Sequence, residues 1–363
     1  MDMKRVLHIY NDYYPPVIGG IEKHLNTLCE GLKDKFEITV LTANRSISTR
    51  FENINGINVI RVGTLGRIQS APITPFMPFW LKYLKADILH FQLPCPTAML
   101  SYFLARPKGK IVVSYQSDIV RQKWAIGLYK PLLNKFLKRA DYIIASSPNY
   151  IETSPFLRRY KDKTVVIPNG TDINKFYSSD PKEPVILFVG KLRYYKGLNY
   201  LIEAMQNIDA RLNIIGTGSE ELKLKKLTNK LGLNNRINFL GNIPENKLPL
   251  YYANCSIFVL PACERSEAFG IVQLEAMASS KPVISTKLGT GLDWVNQDGI
   301  TGITVPPKDP NALASAINKL LGDENLRKTL GQNTRSKVEK EFSKDLMLKR
   351  IHELYIKILC PDI

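Results

Sequence analysis

The stretch Ala262 to Ser285, ACERSEAFGIVQLEAMASSKPVIS, places two carboxylates around a glycine. The apolar run CSIFVLP (255–261) before it reads as a short buried strand ended by Pro261. After it, the spacing of Ile271, Leu274 and Ala278 predicts a helix that stops at Lys281-Pro282. Glu267 then falls on the loop ahead of the helix, whose free N–H groups begin near Phe269, Gly270 and Ile271, and Glu275 stands about two turns further on. A glycine-opened helix N-terminus accepts phosphate, and carboxylates beside it accept hydrogen bonds from sugar or ribose hydroxyls. Residue type alone leaves a plainer use open, because an acidic residue at a helix start also serves as a cap.

A second set of groups could complement that chemistry. The strand ILFVG (186–190) opens into a loop carrying Lys191, Arg193 and Lys196 before a helix near Leu198. Fixed cations there would stabilise a departing diphosphate, whose charge grows as the bond to it breaks. Gly19-Gly20 lies between a strand and an amphipathic helix and suits either a phosphate approach or a tight turn. Gly216, in LNIIGTGSEELKLKKL (212–227), belongs to a lone G-x-G without the third glycine of a dinucleotide fingerprint. Gln116-Ser117-Asp118 ends another strand, where α/β sheets gather ligands, although both polar side chains could merely cap the next helix.

As written, Glu267-Ala268-Phe269-Gly270 followed by Leu274-Glu275-Ala276-Met277-Ala278 resembles the E-x7-E signature of the retaining glycosyltransferases of family 4. The stretch 285–321 also resembles that family, particularly a branch that builds bacterial surface polysaccharides. The resemblance implies two facing Rossmann-like domains of the GT-B type and a nucleotide-diphosphate sugar as co-substrate, with no other cofactor. It assigns Lys191 and Lys196 to the departing diphosphate, Glu267 to the donor sugar and Glu275 to the ribose. Phe269, Gly270, Ile271 and Gly216 join them as donor-binding positions, with Gly19 and Gly20 over the phosphates. Two departures stand out. Many members carry histidine where this chain has Gln116, which hydrogen-bonds but carries no proton, and arginine where it has Lys191, which keeps the charge without the two-pronged geometry. In the family, the donor phosphate oxygen itself is inferred to take the acceptor proton, so no protein base is obligatory. No D-x-D triplet occurs, so no metal site is expected, and activity should not need added divalent ion.

These groups must be held by an alternation of strands and helices. Strands are expected at 4–11, 36–43, 57–62, 86–92, 110–116 and 140–147, then at 186–190, at the start of 212–227 and at 255–261. That is the pattern of parallel sheets covered on both faces. With 363 residues, of which 44% are hydrophobic, two domains are expected: 1–175 plus 345–363 on the acceptor side, and 176–344 on the donor side, with polar SSDPKEP as the linker. A closing amphipathic helix, with Leu346, Ile351, Leu354 and Ile358 on one face, should cross back to the first domain. In 121–140 the spacing of Trp124, Leu128, Leu132 and Phe136 predicts one apolar face on a basic helix.

Composition bounds the setting. Five scattered cysteines without a CxxC pair argue against a disulfide framework or a zinc site. The first residues lack a signal-peptide core, and no uncharged apolar run reaches membrane-spanning length, so a cytoplasmic protein is expected. The net charge of +17 is uneven: residues 1–175 hold 25 Lys and Arg against 13 Asp and Glu. Such a basic face suits a plain solvated surface, anionic lipid or a phosphorylated acceptor; in ITPFMPFWLKYLK (73–85) and the basic stretch 121–140 the apolar residues are expected to pack in the core, with docking on a membrane surface as the sharper alternative. No nucleic-acid module is present. The rivals are a sugar-nucleotide epimerase or glycan phosphorylase on the same architecture, a dehydrogenase, disfavoured by the incomplete glycine fingerprint, and a nucleotide-sugar-binding protein whose activity has lapsed.

Overall fold

A computed structural model of the chain describes residues 3–17, 19–68, 71–118, 123–181 and 183–360; the side chains of 123–126 and 128 lie outside that description. By its internal packing the chain divides into two compact units. The first comprises Met1–Ser146, Ser154–Ile167 and Met347–Ile363, and the second Ser147–Thr153 and Pro168–Leu346.

The first unit is built on an eight-stranded sheet. Its strands are β1 (Arg5–Ile9), β2 (Glu37–Ala43), β3 (Arg50–Ile54), β4 (Ile57–Val62), β7 (Ile88–Leu93), β8 (Lys110–Tyr115), β9 (Tyr142–Ala145) and β10 (Thr164–Val166), while β5 (Gly66–Ile68) and β6 (Ala71–Ile73) form a separate hairpin. The order is β10-β9-β8-β7-β1-β2-β4-β3, parallel except for β3 against β4. Central strands such as β7 are buried along their whole length, as a sheet covered on both faces requires. β3 escaped the apolar-run reading because RFENI is an edge strand with mostly exposed side chains. The usable signal was the Asn55-Gly56 pair behind it, both at positive φ, which is the two-residue hairpin turn.

The helices of this unit are α1 (Gly20–Leu32), α2 (Met77–Tyr83), α3 (Pro96–Ala105) and α4 (Lys123–Arg139). Along α4 the core takes Tyr129, Leu133, Phe136 and Leu137; of the expected stripe Phe136 is buried, Leu132 is only half-buried, and Trp124 and Leu128 lie outside the described side chains. The stripe is rotated because Leu133 and Leu137, one helical turn apart, carry the packing instead.

The second unit holds six parallel strands in the order β13-β12-β11-β14-β15-β16: β11 (Val185–Val189), β12 (Arg211–Ile215), β13 (Ile237–Gly241), β14 (Ile257–Leu260), β15 (Val283–Thr286) and β16 (Gly302–Val305). Around it lie α5 (Pro148–Thr153), α6 (Leu198–Ala204), α7 (Glu221–Lys230), α8 (Leu248–Ala253), α9 (Ile271–Ala278), α10 (Gly291–Val295), α11 (Pro310–Gly322) and α12 (Glu324–Glu341). Its core is one continuous cluster running from Ile186 to Phe342. Because α5 packs against α10, the segment 147–153 belongs here although the sequence continues from β9 of the first unit.

The last helix, α13 (Lys344–Leu359), enters the first unit from Met347 onward. It buries Met347, Ile351, Leu354, Tyr355 and Ile358, and Tyr355 meets Phe36 edge-on at 5.4 Å. Leu346 is only half-buried, so Met347 replaces it in the expected stripe; it lies four residues before Ile351, and the two therefore share a face. Among the described residues no helix is long and apolar enough to cross a membrane.

Candidate functional site

Two loops of the second unit, one after β11 and one after β14, meet beyond the ends of adjacent parallel strands. After β11 a short 3-10 turn, Tyr194–Lys196, ends at Gly197 with φ 67° and ψ 20°. A side chain there would be strained by the left-handed backbone, and its Cβ would sit 2.0 Å from the Pro261 carbonyl oxygen. The glycine therefore lets the two loops touch. The Cys263 amide donates to the Tyr195 carbonyl at 2.8 Å and locks the contact.

That clamp brings Lys196 against Glu267. The Lys196 Nζ lies 2.5 Å from Glu267 Oε2, and each residue is only 8% exposed. Burial works against the lysine's charge, but the Glu267 carboxylate outweighs it and holds the ammonium above the ordinary lysine range. Lys191 and Arg193 are exposed, so of the three cations expected on this loop only Lys196 is buried and paired.

The glutamate's loop is fixed from behind. The Thr290 hydroxyl donates to the Glu267 carbonyl at 3.0 Å, and the Gly291 amide donates to the Ala268 carbonyl at 2.8 Å. Gly270 caps α9 at φ 72° and ψ 59°, where a Cβ would lie within 3 Å of Leu260, Gln273 and Leu292. Among the described residues the amides of Phe269, Gly270, Ile271 and Val272 donate to no backbone or side-chain oxygen. Four unpaired N–H groups at a helix mouth, beside an ammonium group, form an anion cradle.

Glu275 projects from α9 and accepts from the Tyr252 hydroxyl at 2.6 Å. Burial, and then this carboxylate, push the Tyr252 phenol well above its ordinary range and keep it a donor. The Phe269 side chain is in the core, 6.0 Å from the Phe342 ring, so that residue can offer a ligand only its backbone. Gly216 is explained by packing: at φ 125°, an added Cβ would lie 2.0 Å from the Gly190 carbonyl oxygen.

The remaining expected residues lie in the first unit. Gly19 is extended (φ −149°) and caps α1, and Gly20 begins the helix. The Asp118 carboxylate accepts from Tyr115 at 2.8 Å and from Ser154 at 2.9 Å. Gln116 donates to Gln92 at 3.0 Å; Gln92 approaches His90 at 3.5 Å; and His90 bonds Ser114 at 2.8 Å and Tyr355 at 2.5 Å. A buried polar chain thus backs Gln116. Burial, and then the neighbouring His8 and His24, keep His90 neutral, well below the ordinary histidine range. Sequence reading missed this chain because His90 and Tyr355 are 265 residues apart. It also missed Thr290, whose hydroxyl additionally caps α10 at Leu292; threonine just before a helix was a legible cap signal.

Comparison with known proteins gives two family matches: residues 18–175 to "Glycosyltransferase Family 4" and residues 170–337 to "Glycosyl transferases group 1". O-antigen chain mannosyltransferase C of Escherichia coli is 35% identical over 98% of this chain and 99% of its own. D-rhamnosyltransferase WbpZ of Pseudomonas aeruginosa is 35% identical over 93% and 92%. Among solved structures, sucrose-phosphate synthase from Thermosynechococcus elongatus superposes with a TM-score of 0.85 at 24% identity, covering 99% of this chain and 100% of that one. Anabaena HepE, solved in complex with UDP and glucose, gives 0.80 at 20% identity over 98% and 99%. Both likenesses bear on the fold, the GT-B arrangement of two Rossmann-like domains.

Proposed function

Because the chain belongs to the glycosyltransferases, with a family 4 domain followed by a group 1 domain, we propose that it moves a hexose from a nucleotide-diphosphate sugar to a hydroxyl of a lipid-linked or surface glycan. The observation that carries this reading is the buried Lys196–Glu267 pair beside the unpaired amides of α9. The donor diphosphate is taken by those amides and by Lys196, with exposed Lys191 adding charge. Glu267 accepts a donor-sugar hydroxyl at Oε1, and Glu275 accepts from the ribose. The mannosyl- and rhamnosyltransferase relatives support a mannose-like donor.

Transfer breaks the bond between the anomeric carbon and the phosphate oxygen. The acceptor oxygen bonds that carbon with retained configuration, and its proton passes to the departing phosphate oxygen. The ammonium of Lys196 meets the growing negative charge in a dry site, where it is worth more than in water. No metal enters this scheme, so activity should survive chelator. We place the reaction in the cytoplasm at an anionic membrane surface, where a lipid-linked acceptor would be met.

The test is incubation of purified protein with GDP- and UDP-sugars and membrane lipid extract, following nucleotide release and labelled product. Sugar-dependent release that persists in chelator supports the reading. Tight nucleotide-sugar binding without turnover, or NAD reduction instead, overturns it.

A further inference from the structure

The first unit carries an exposed aromatic surface that nothing in donor chemistry uses. Helix α2 is anchored inward by Met77 and Leu81, both fully buried. Its other side leaves Phe76, Phe79 and Tyr83 at 63%, 60% and 68% exposure, with half-buried Trp80 between them. The rings form one array: Phe79 stacks on Tyr83 at 6.0 Å, and Trp80 meets Phe79 at 5.5 Å and Phe51 of edge strand β3 at 5.3 Å. Phe51 is itself 65% exposed. Scattered exposed apolar residues are ordinary, but a contiguous aromatic array marks a binding surface.

Charge selects the partner. Glu52, next to Phe51, is paired with Arg61 at 2.8 Å, and between Glu52 and Asp118 the chain holds one further acidic residue, Asp87. Asp87 is engaged by the Arg5 amide at 2.8 Å, whereas Lys82 and Lys85, beside the rings, are exposed. Aromatic rings flanked by lysines match the interface of an anionic bilayer, where rings sit at headgroup depth and ammonium groups meet lipid phosphates. A second copy would instead have to bury these lysines, a residue type depleted from protein–protein interfaces.

We infer that the α2 face, with Phe51, is the surface by which this protein docks on anionic lipid. The inference rests on the membrane location proposed above and names the residues that achieve it. The test is flotation of the full chain, with neither donor nor acceptor, on phosphatidylcholine vesicles with and without about one-third phosphatidylglycerol. Wild type should float only with the anionic vesicles, and high salt should weaken it. Phe76→Ser, Phe79→Ser and Tyr83→Ser together should cut binding roughly tenfold or more, and Lys82→Gln and Lys85→Gln roughly fivefold each.

Unchanged melting and nucleotide binding of each variant serve as the fold control. Phe79→Ser alone provides the reading if the triple variant does not fold. Wild type that ignores anionic vesicles overturns both the membrane location and this surface. Wild type that floats while the serine variants float equally well overturns the surface alone. A vesicle-independent dimer that the serine variants dissolve assigns the face to a second copy and overturns the lipid. Failure of sugar transfer would leave every arm of this test unaltered.

Discussion

His8 and His90 in the first unit's sheet and Lys196 and Glu267 in the second are all buried, yet these two sets of titratable groups are accommodated in opposite ways. Burial drives His8 down to about 3, and both its ring nitrogens lack partners among the described residues. His90 is likewise kept neutral, held by Ser114 and Tyr355. In the second unit the Lys196 ammonium is instead held charged against Glu267 at 2.5 Å. A neutral histidine escapes the cost of burying a charge, whereas a buried ion pair repays that cost only in part. Its place beside the unpaired amides of α9 is what supports the proposed role in donor binding.

The outer surfaces differ in the same spirit. Of the sixteen large hydrophobics that stand exposed among the described residues, only Tyr177, Leu222, Leu250 and Ile300 belong to the second unit. The exposed apolar area is concentrated on the first unit, and the buried Lys196–Glu267 pair lies in the second.

The sharpest way to break this contrast is at the pair itself. Lys196→Ala should lower kcat by about 10²–10³-fold. It should also cost about 3–5 kcal/mol of stability, because it strands a buried carboxylate. Lys196→Met with Glu267→Leu should recover most of the stability in chemical denaturation while activity stays lost. Recovery of both would make the pair structural.

Next comes Gly197→Ala, which strains a left-handed position and drives a Cβ into the Pro261 carbonyl. It should cost roughly 1–3 kcal/mol or more by thermal melting and raise the donor KM by misplacing Lys196. Vesicle binding, proposed for the other unit, should be untouched.

The histidines give a pH test. Their folded-state values lie below the unfolded value near 6.5, so the unfolded chain binds more protons once pH falls below that value. Stability should therefore fall as pH drops from about 6.5 towards 3, by up to about 1.4 kcal/mol per pH unit for each histidine. His8→Leu should flatten part of that slope in denaturant titrations at several pH values. The Lys196 contribution has the opposite sign: its value is raised, so it is complete at neutral pH and fades only in strong alkali.

The smallest effect is expected at Gln116. Gln116→Ala removes a hydrogen bond to Gln92 but no charge, so kcat should fall only about tenfold. A loss as large as that of Lys196→Ala would make Gln116 central to the reaction and shift the chemical emphasis to the first unit.

Much of this could be read along the chain. The strand, loop and helix around Glu267 were legible because apolar runs, a proline stop and a helix-opening glycine are local signals, and β14 and α9 lie within a few residues of the expected bounds. The edge strand β3 was not, because a strand exposed to water carries no apolar run. The rotation of the α4 stripe was equally hidden, since spacing yields a helical period but not which neighbour fills each face.

Local order along the chain dictated two alternating α/β units, the glycine-opened helix and the unequal charge of the two halves. Folding decided which polar groups meet. It alone chose Lys196 over Lys191 and Arg193 as the partner of Glu267, set Tyr252 on Glu275, and ran a polar chain from Tyr355 to Gln116. It also turned Phe79 and Tyr83 of α2, and Phe76 just before it, outward while Met77 and Leu81 went in. The reason is physical: periodicity and turn chemistry act over a few residues, whereas pairing and burial depend on segments that only the packed sheets bring within a few ångströms.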